Sequence, residues 1–151
     1  YNSFGDKSTF FKSCIDQYNK LVDKQIAASL KHEKLTGWDA IDAYFDETVL
    51  KLSNKHRSMG CILVNSLCES INYNKDMKKI VRRSLATIRK ALVAKLKEAH
   101  KKGKVKKGVS VEFAADILMN TLHGVRVNAR DGKNAKQLRD LNKFVVVSLK
   151  K

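Results

Sequence analysis

The chain is 151 residues long, 43% hydrophobic, and carries a formal net charge of +16. That length fills one hydrophobic core and is too short for two full domains. With no run of roughly 18 apolar residues and no leader pattern at Tyr1, neither a membrane span nor an export signal is expected, and the expected compartment is the cytoplasm.

Three cysteines form an odd set without metal-ligand spacing. Cys61 and Cys68, on one predicted helix, would stand roughly 10 Å apart, beyond disulfide reach, so reduced thiols are expected. The charge is unevenly spread. Residues 1–74 hold nine Lys or Arg and nine Asp or Glu, residues 75–107 hold fourteen against two, and residues 108–151 hold eight against four. The field of the middle segment attracts polyanions, although a solvated helix face accounts equally well for any one lysine.

Proline is absent and the seven glycines fall mostly between periodic stretches, which predicts an all-α fold. Asp6 is a candidate N-cap for a helix over about 6–32, with Phe10, Phe11, Cys14, Ile15, Tyr18, Leu21, Val22, Ile26 and Leu30 at three- and four-residue spacing. A break at 34–37 precedes a second helix to about residue 54. Its start resembles a capping box of Thr36 and Asp39, and its inner face is Trp38, Ile41, Tyr44, Phe45, Thr48 and Leu52. Asp42, Asp46 and Glu47 then point outward or toward a cation.

After a break at 55–58, residues 59–74 (MGCILVNSLCESINYN) hold one charge, Glu69, and a nearly contiguous apolar run. This stretch is expected to be buried on most sides with the other helices wrapped around it, and residues 72–74 form a turn. A helix over about 75–102 sets Met77, Ile80, Val81, Leu85, Ile88, Leu92, Leu96 and Ala99 on one side and Lys and Arg on the other. The loop KGKVKKG at 102–108 reads as too basic and too glycine-punctuated to pack. Ser110 caps a helix to about 131 that is apolar around most of its circumference, and a last helix from Ala135 to about 149 turns Leu138, Leu141, Phe144, Val145 and Leu149 inward. The run Phe144 to Val147 has strand propensity, but with no second strand to pair with it stays helical.

Three motifs suggest a family. The opening YNSFGDKSTFF, in which Tyr1, Phe4, Gly5, Lys7, Phe10 and Phe11 fall in order, resembles the end of the helix-turn-helix domain of TetR/AcrR transcriptional regulators. GCILVNS at Gly60 to Ser66 and GVRVNAR at Gly124 to Arg130 are similar to later elements of that family. The resemblance implies a TetR-like C-terminal helical domain of about six helices, dimerising through a four-helix bundle. Residues 1–5 would be a remnant of the DNA-binding domain, whose main part lies upstream, and residues 6–151 the ligand-binding and dimerisation domain. It also implies a repressor acting on operator DNA as a homodimer, with Tyr1 and Lys7 against DNA phosphates.

The apolar circumference of the Ser110 helix independently favours a dimer, since a helix covered on two sides needs a partner. The expected interface is Phe113, Ile117, Gly124, Val127, Leu141, Phe144 and Val145. The expected effector chamber is lined by Tyr18, Trp38, Tyr44, Phe45, Cys61, Asn65, Cys68, Met119, His123 and Arg126, each of which also suits ordinary packing. Cys61 carries a second possibility, a thiol sensitive to electrophiles near His123 or Arg126. No phosphate loop, metal pair or nucleophile elbow is present, so no enzyme, cofactor or metal site is expected. The rival reading is an all-α basic interaction module binding nucleic acid or an acidic partner through residues 75–107.

Overall fold

The computed structural model describes residues 6–52, 61–69 and 75–151, which form six helices: α1 (Lys7–Ala28), α2 (Gly37–Leu52), α3 (Ile62–Cys68), α4 (Lys75–Lys101), α5 (Val111–Arg130) and α6 (Ala135–Leu149). The expected break at 55–58, the turn at 72–74, the first residues of the apolar stretch and the remnant at 1–5 lie outside the described residues.

Helix starts follow local chemistry. The Asp6 carboxylate accepts the Thr9 N–H at 2.7 Å, a bond that holds its pKa below the ordinary carboxylate range. Ser110 accepts from the Phe113 N–H, and Asn134 and Gln137 form a reciprocal capping box at α6. The start of α2 is different. Gly37 has a φ of 51°, and its N–H donates to Glu98 Oε2 of α4 at 3.0 Å. Thr36 Oγ1 accepts instead from Lys102 Nζ at 3.5 Å. The expected capping box does not form: the Asp39 N–H donates to the Thr36 backbone carbonyl at 3.1 Å, and the Gly37 N–H is met across the fold by a carboxylate whose charge suits a helix N-terminus. Lys95 bridges the same carboxylate at 2.9 Å and donates to the Leu35 carbonyl at 3.1 Å.

The hub of the packing is α4, which touches α1, α2, α3 and α5, while α6 lies against α2 and α5. Its predicted apolar face is buried apart from half-buried Ile80. The short α3, expected to be the centre, buries Leu63, Val64 and Ser66 but exposes Cys68 and Glu69. Not all of the expected α1 face is inward, since Phe10 is 41% exposed. Leu21 is 58% exposed on α1, whereas Gln25 is buried because its amide donates to Thr48 Oγ1 at 2.6 Å and to the Tyr44 carbonyl at 3.3 Å. Burial follows satisfied polarity here, not side-chain type.

The basic loop also packs. Val105 is buried and forms an isolated antiparallel bridge with Lys150; the Lys106 N–H donates to the Leu149 carbonyl and the Lys151 N–H to the Lys104 carbonyl. Trp38 Nε1 donates to that same Lys104 carbonyl at 2.9 Å. One valine among the lysines and a few backbone bonds suffice, while the ammonium groups stay in water. In α6, Leu138, Val146 and Leu149 face the core, but Leu141 and Phe144 point outward and Val145 is half-buried, so the inward register expected of them holds only for Leu138 and Leu149. The run Phe144 to Val147 is helical.

Glu98→Gln should destabilise the fold by roughly 0.5–1 kcal/mol at neutral pH through loss of its charge at the α2 start. The bond from the Gly37 N–H holds the Glu98 pKa below its ordinary 4.5, with Lys95 assisting. A depressed carboxylate stabilises above its unfolded pKa and loses that contribution as pH falls through its folded pKa. Urea titrations should therefore show the two proteins converging in acid.

Candidate functional site

Arg126 is the least expected resident of the core. Helical spacing fixes it there: Met119, Leu122 and Arg126 fall on one stripe of α5, and the guanidinium is only 4% exposed. The next residue, Val127, is exposed. Around Arg126 gather Tyr18 from α1, Tyr44 from α2, Cys61 at the N-cap of α3, and His123 one helical turn earlier. The Tyr18 hydroxyl donates to Cys61 Sγ at 3.0 Å.

The electrostatics reflect that proximity. Burial pushes the Tyr18 and Tyr44 phenols above their ordinary range, Cys61 adds to this, and Arg126 draws both partly back. His123 is pushed down from 6.5 by burial and then by the Arg126 charge. Burial opposes the charge on Arg126 as well, but the groups around it outweigh that effect and its pKa rises. Three buried atoms of this cluster have no hydrogen-bond partner among the described residues: Tyr44 Oη, His123 Nε2 and Arg126 Nη1. Such atoms are rare in folded proteins, and three of them in one cluster single it out as the candidate site. Arg126 makes no ion pair among the described residues.

The other expected chamber residues are dispersed. Trp38 sits at the α2 start, bonded to Lys104, with Lys150 Nζ 5.7 Å from its ring centroid. Phe45 meets Tyr44 edge-on at 6.2 Å but lines a separate groove of about 470 Å³ between α2 and α6. Met119 is buried, Asn65 half-buried and Cys68 exposed. A second groove, about 220 Å³, runs between α1 and α4 past Lys12, Asp16 and Arg83. Neither groove includes any of the five clustered residues.

Of the residues expected at an interface, Phe113, Val127, Leu141 and Phe144 are exposed, the last at 76%, and Ile117, Gly124 and Val145 are half-buried. A Cβ at Gly124 would meet nothing within 4 Å, so the helix surface is low there. Val147, also exposed on α6, was not anticipated, although it lies one turn beyond Phe144. Asn142, buried with both side-chain polar atoms unpaired among the described residues, gives no sequence signal at all. No group of three His, Cys, Asp or Glu among the described residues could hold a metal ion. No helix among them is long and apolar enough to cross a membrane.

Residues 37–143 match the protein family described as "Tetracyclin repressor-like, C-terminal domain". The structure is similar to that of a TetR transcriptional regulator from Chloroflexus aurantiacus J-10-FL, with a TM-score of 0.82 and 19% identity over 99% of this chain and 77% of that one. It is also similar to a Rhodococcus sp. RHA1 protein assigned to the TetR transcriptional regulators, with a TM-score of 0.66 and 15% identity over 100% of this chain and 80% of that one. At these identities the likeness is one of fold. No curated protein matches the sequence.

The depressed His123 pKa gives a testable sign. Above pH 6.5 both folded and unfolded states hold a neutral imidazole; below it the unfolded state takes up a proton that the folded state resists, so stability falls until the folded pKa is reached. Imidazole NMR titration should find His123 protonating below 6.5, and His123→Gln should flatten the stability profile across that interval.

Proposed function

The chain belongs to the tetracyclin repressor-like C-terminal domain family, and from that premise we propose that it is the effector-binding and dimerising part of a ligand-responsive transcriptional repressor acting in the cytoplasm. The observation that carries this reading is the buried, incompletely satisfied polar cluster that bridges α1 to α5. A scaffold protein gains nothing from such a cluster, whereas a receptor needs a few polar groups in an apolar surround.

Two copies would pair through α5 and α6, where Phe113, Val127, Leu141, Phe144 and Val147 form the supply of exposed apolar side chains. Helix-turn-helix segments upstream of α1 would then reach successive major grooves of the operator. Lys7, exposed in the first turn of α1, would meet a phosphate; Tyr1, its expected companion, lies outside the described residues. An effector engaging Tyr18 on α1 and Arg126 on α5 would alter the angle at which α1 leaves the domain. Release of DNA follows only if that ligand binds the non-operator geometry more tightly. The proposal is a regulator, with no catalytic step.

Cys61 offers a finer variant in which thiol modification replaces ligand binding. Its side chain is buried and already accepts the Tyr18 hydroxyl, which favours non-covalent binding. The basic-module reading also has an observation behind it, since Lys75, Lys78, Lys79, Arg82 and Arg83 line one surface hollow on α4.

Replacing Phe144 by Glu should weaken the dimer by on the order of 2 kcal/mol, roughly thirtyfold in Kd, without loss of helicity. Sedimentation velocity and circular dichroism would check both; a wild-type protein that stays monomeric at high micromolar concentration would sink the reading. For the complete protein, DNA release measured by fluorescence anisotropy should survive Cys61→Ser if the effector binds non-covalently and vanish if the thiol is the sensor. Steeply salt-dependent DNA binding by residues 1–151 alone would favour the basic module instead.

A further inference from the structure

We propose that the effector is an organic monoacid, a single carboxylate on an apolar body, whose head group pairs with Arg126. The inference rests on the effector-chamber reading and names the chemistry of its ligand.

The chain has fifteen Asp and Glu residues, and none makes an ion pair with Arg126 among the described residues; the carboxylates that do pair, such as Asp42, Glu98 and Asp116, serve Lys150, Lys95 and Arg89. The segments outside the described residues, 1–5, 53–60 and 70–74, contain no Asp or Glu. No carboxylate side chain of this protein is therefore left to neutralise the guanidinium. A buried lysine can shed its proton, but an arginine cannot, so the charge persists, eased by the Cys61 sulfur and the two phenols beside it, none of them a carboxylate; a bound carboxylate would supply the full counter-charge. Burial keeps the nearby Tyr18 and Tyr44 phenols neutral, so neither supplies the missing anion.

The unpaired atoms specify the head group further. Arg126 Nη1 and the Tyr44 hydroxyl are donors, and the Nε2 of a neutral His123 donates in one tautomer. A carboxylate offers about four lone-pair directions and takes a guanidinium side-on, which suits that donor set. One buried cation balances one negative charge; a phosphate dianion would leave a net charge behind. Tyr44 and Cys61 belong to the hydrophobic core that also holds the fully buried Ile15, Leu63, Leu118 and Leu122, so the body attached to the head group would be apolar, since a polar one would strand its own groups.

The test uses the complete protein with sodium decanoate, methyl decanoate, sodium phosphate and sodium chloride, followed by calorimetry and thermal denaturation. Decanoate should bind at least tenfold more tightly than its ester, Arg126→Met should erase that preference, and Arg126→Met without ligand should melt higher than wild type because a lone buried charge has been removed. Tyr44→Phe, which keeps the ring and removes only the unpaired hydroxyl, should weaken decanoate and spare the ester; it decides the matter if Arg126→Met does not fold. Equal binding of acid and ester, or a preference that survives both substitutions, overturns the acid assignment and leaves the chamber intact. An equal Arg126-dependent shift with phosphate or chloride also overturns it, in favour of an inorganic anion. Binding of neither acid nor ester removes the chamber and this proposal together.

Discussion

A permanent positive charge buried without a carboxylate partner among the described residues is the constraint on which the rest of this structure turns. Taking a guanidinium out of water has an effective penalty of several kcal/mol even after relaxation, comparable with a large part of a domain's net stability. A fold under selection for stability alone would place leucine at position 126, which lies on the same stripe as Met119 and Leu122. The charge, and the Tyr44 hydroxyl and His123 nitrogen that have no hydrogen-bond partner within reach among the described residues, are tolerated because the surrounding packing over-determines the helices that carry them.

That packing is supplied chiefly by α4. Its apolar face contacts four other helices, and its polar residues reach across to fix the start of α2: Glu98 caps Gly37, Lys95 holds the Leu35 carbonyl, and the loop beyond α4 receives the Trp38 indole. The C-terminal residues close the same region, with Lys150 paired to Asp42 at 2.8 Å and the backbone at 149–151 bonded to that loop. Bonds between elements distant in sequence are thus concentrated at the first turn of α2. Tyr44 lies nearly two turns further along, where α2 meets α1 through Gln25 and Thr48. The polar cluster accordingly sits beyond the most heavily tied part of α2.

What could be read in the sequence divides along the same line between local and distant chemistry. Asp6, Ser110 and Asn134 were legible as caps because their bonds reach only three residues. The face of α4 was legible because one side is apolar and the other almost wholly Lys and Arg. The α2 start was misread because Gly37 is served by a carboxylate 61 residues away. The basic loop was misread because average charge concealed one buried valine. At the site, Tyr18, Tyr44, Cys61, His123 and Arg126 do come together, whereas Trp38 and Cys68 do not. Helical periodicity places a residue on a face but does not say which neighbour the face meets, and an aromatic at the first turn of α2 serves the loop beyond α4 instead.

The consecutive pair Arg126 and Val127 would give α5 its position in the proposed mechanism. A rigid helix cannot move its inner face without moving its outer one, and here the inner face carries the unpaired charge while the outer face belongs to the exposed apolar surface of Phe113, Val127 and their neighbours on α6. Pairing of two copies through that surface would hold α5 still. Any adjustment forced by a ligand at Arg126 would then fall on the less restrained member of the cluster, α1, whose Tyr18 is joined to Cys61 by a single hydrogen bond to sulfur and whose N-terminal turn is exposed. Coupling between two sites needs an element with two arrangements and a ligand that distinguishes them. A charge that one arrangement of α1 left bare, and another shared with a bound anion, would supply that distinction in its simplest electrostatic form.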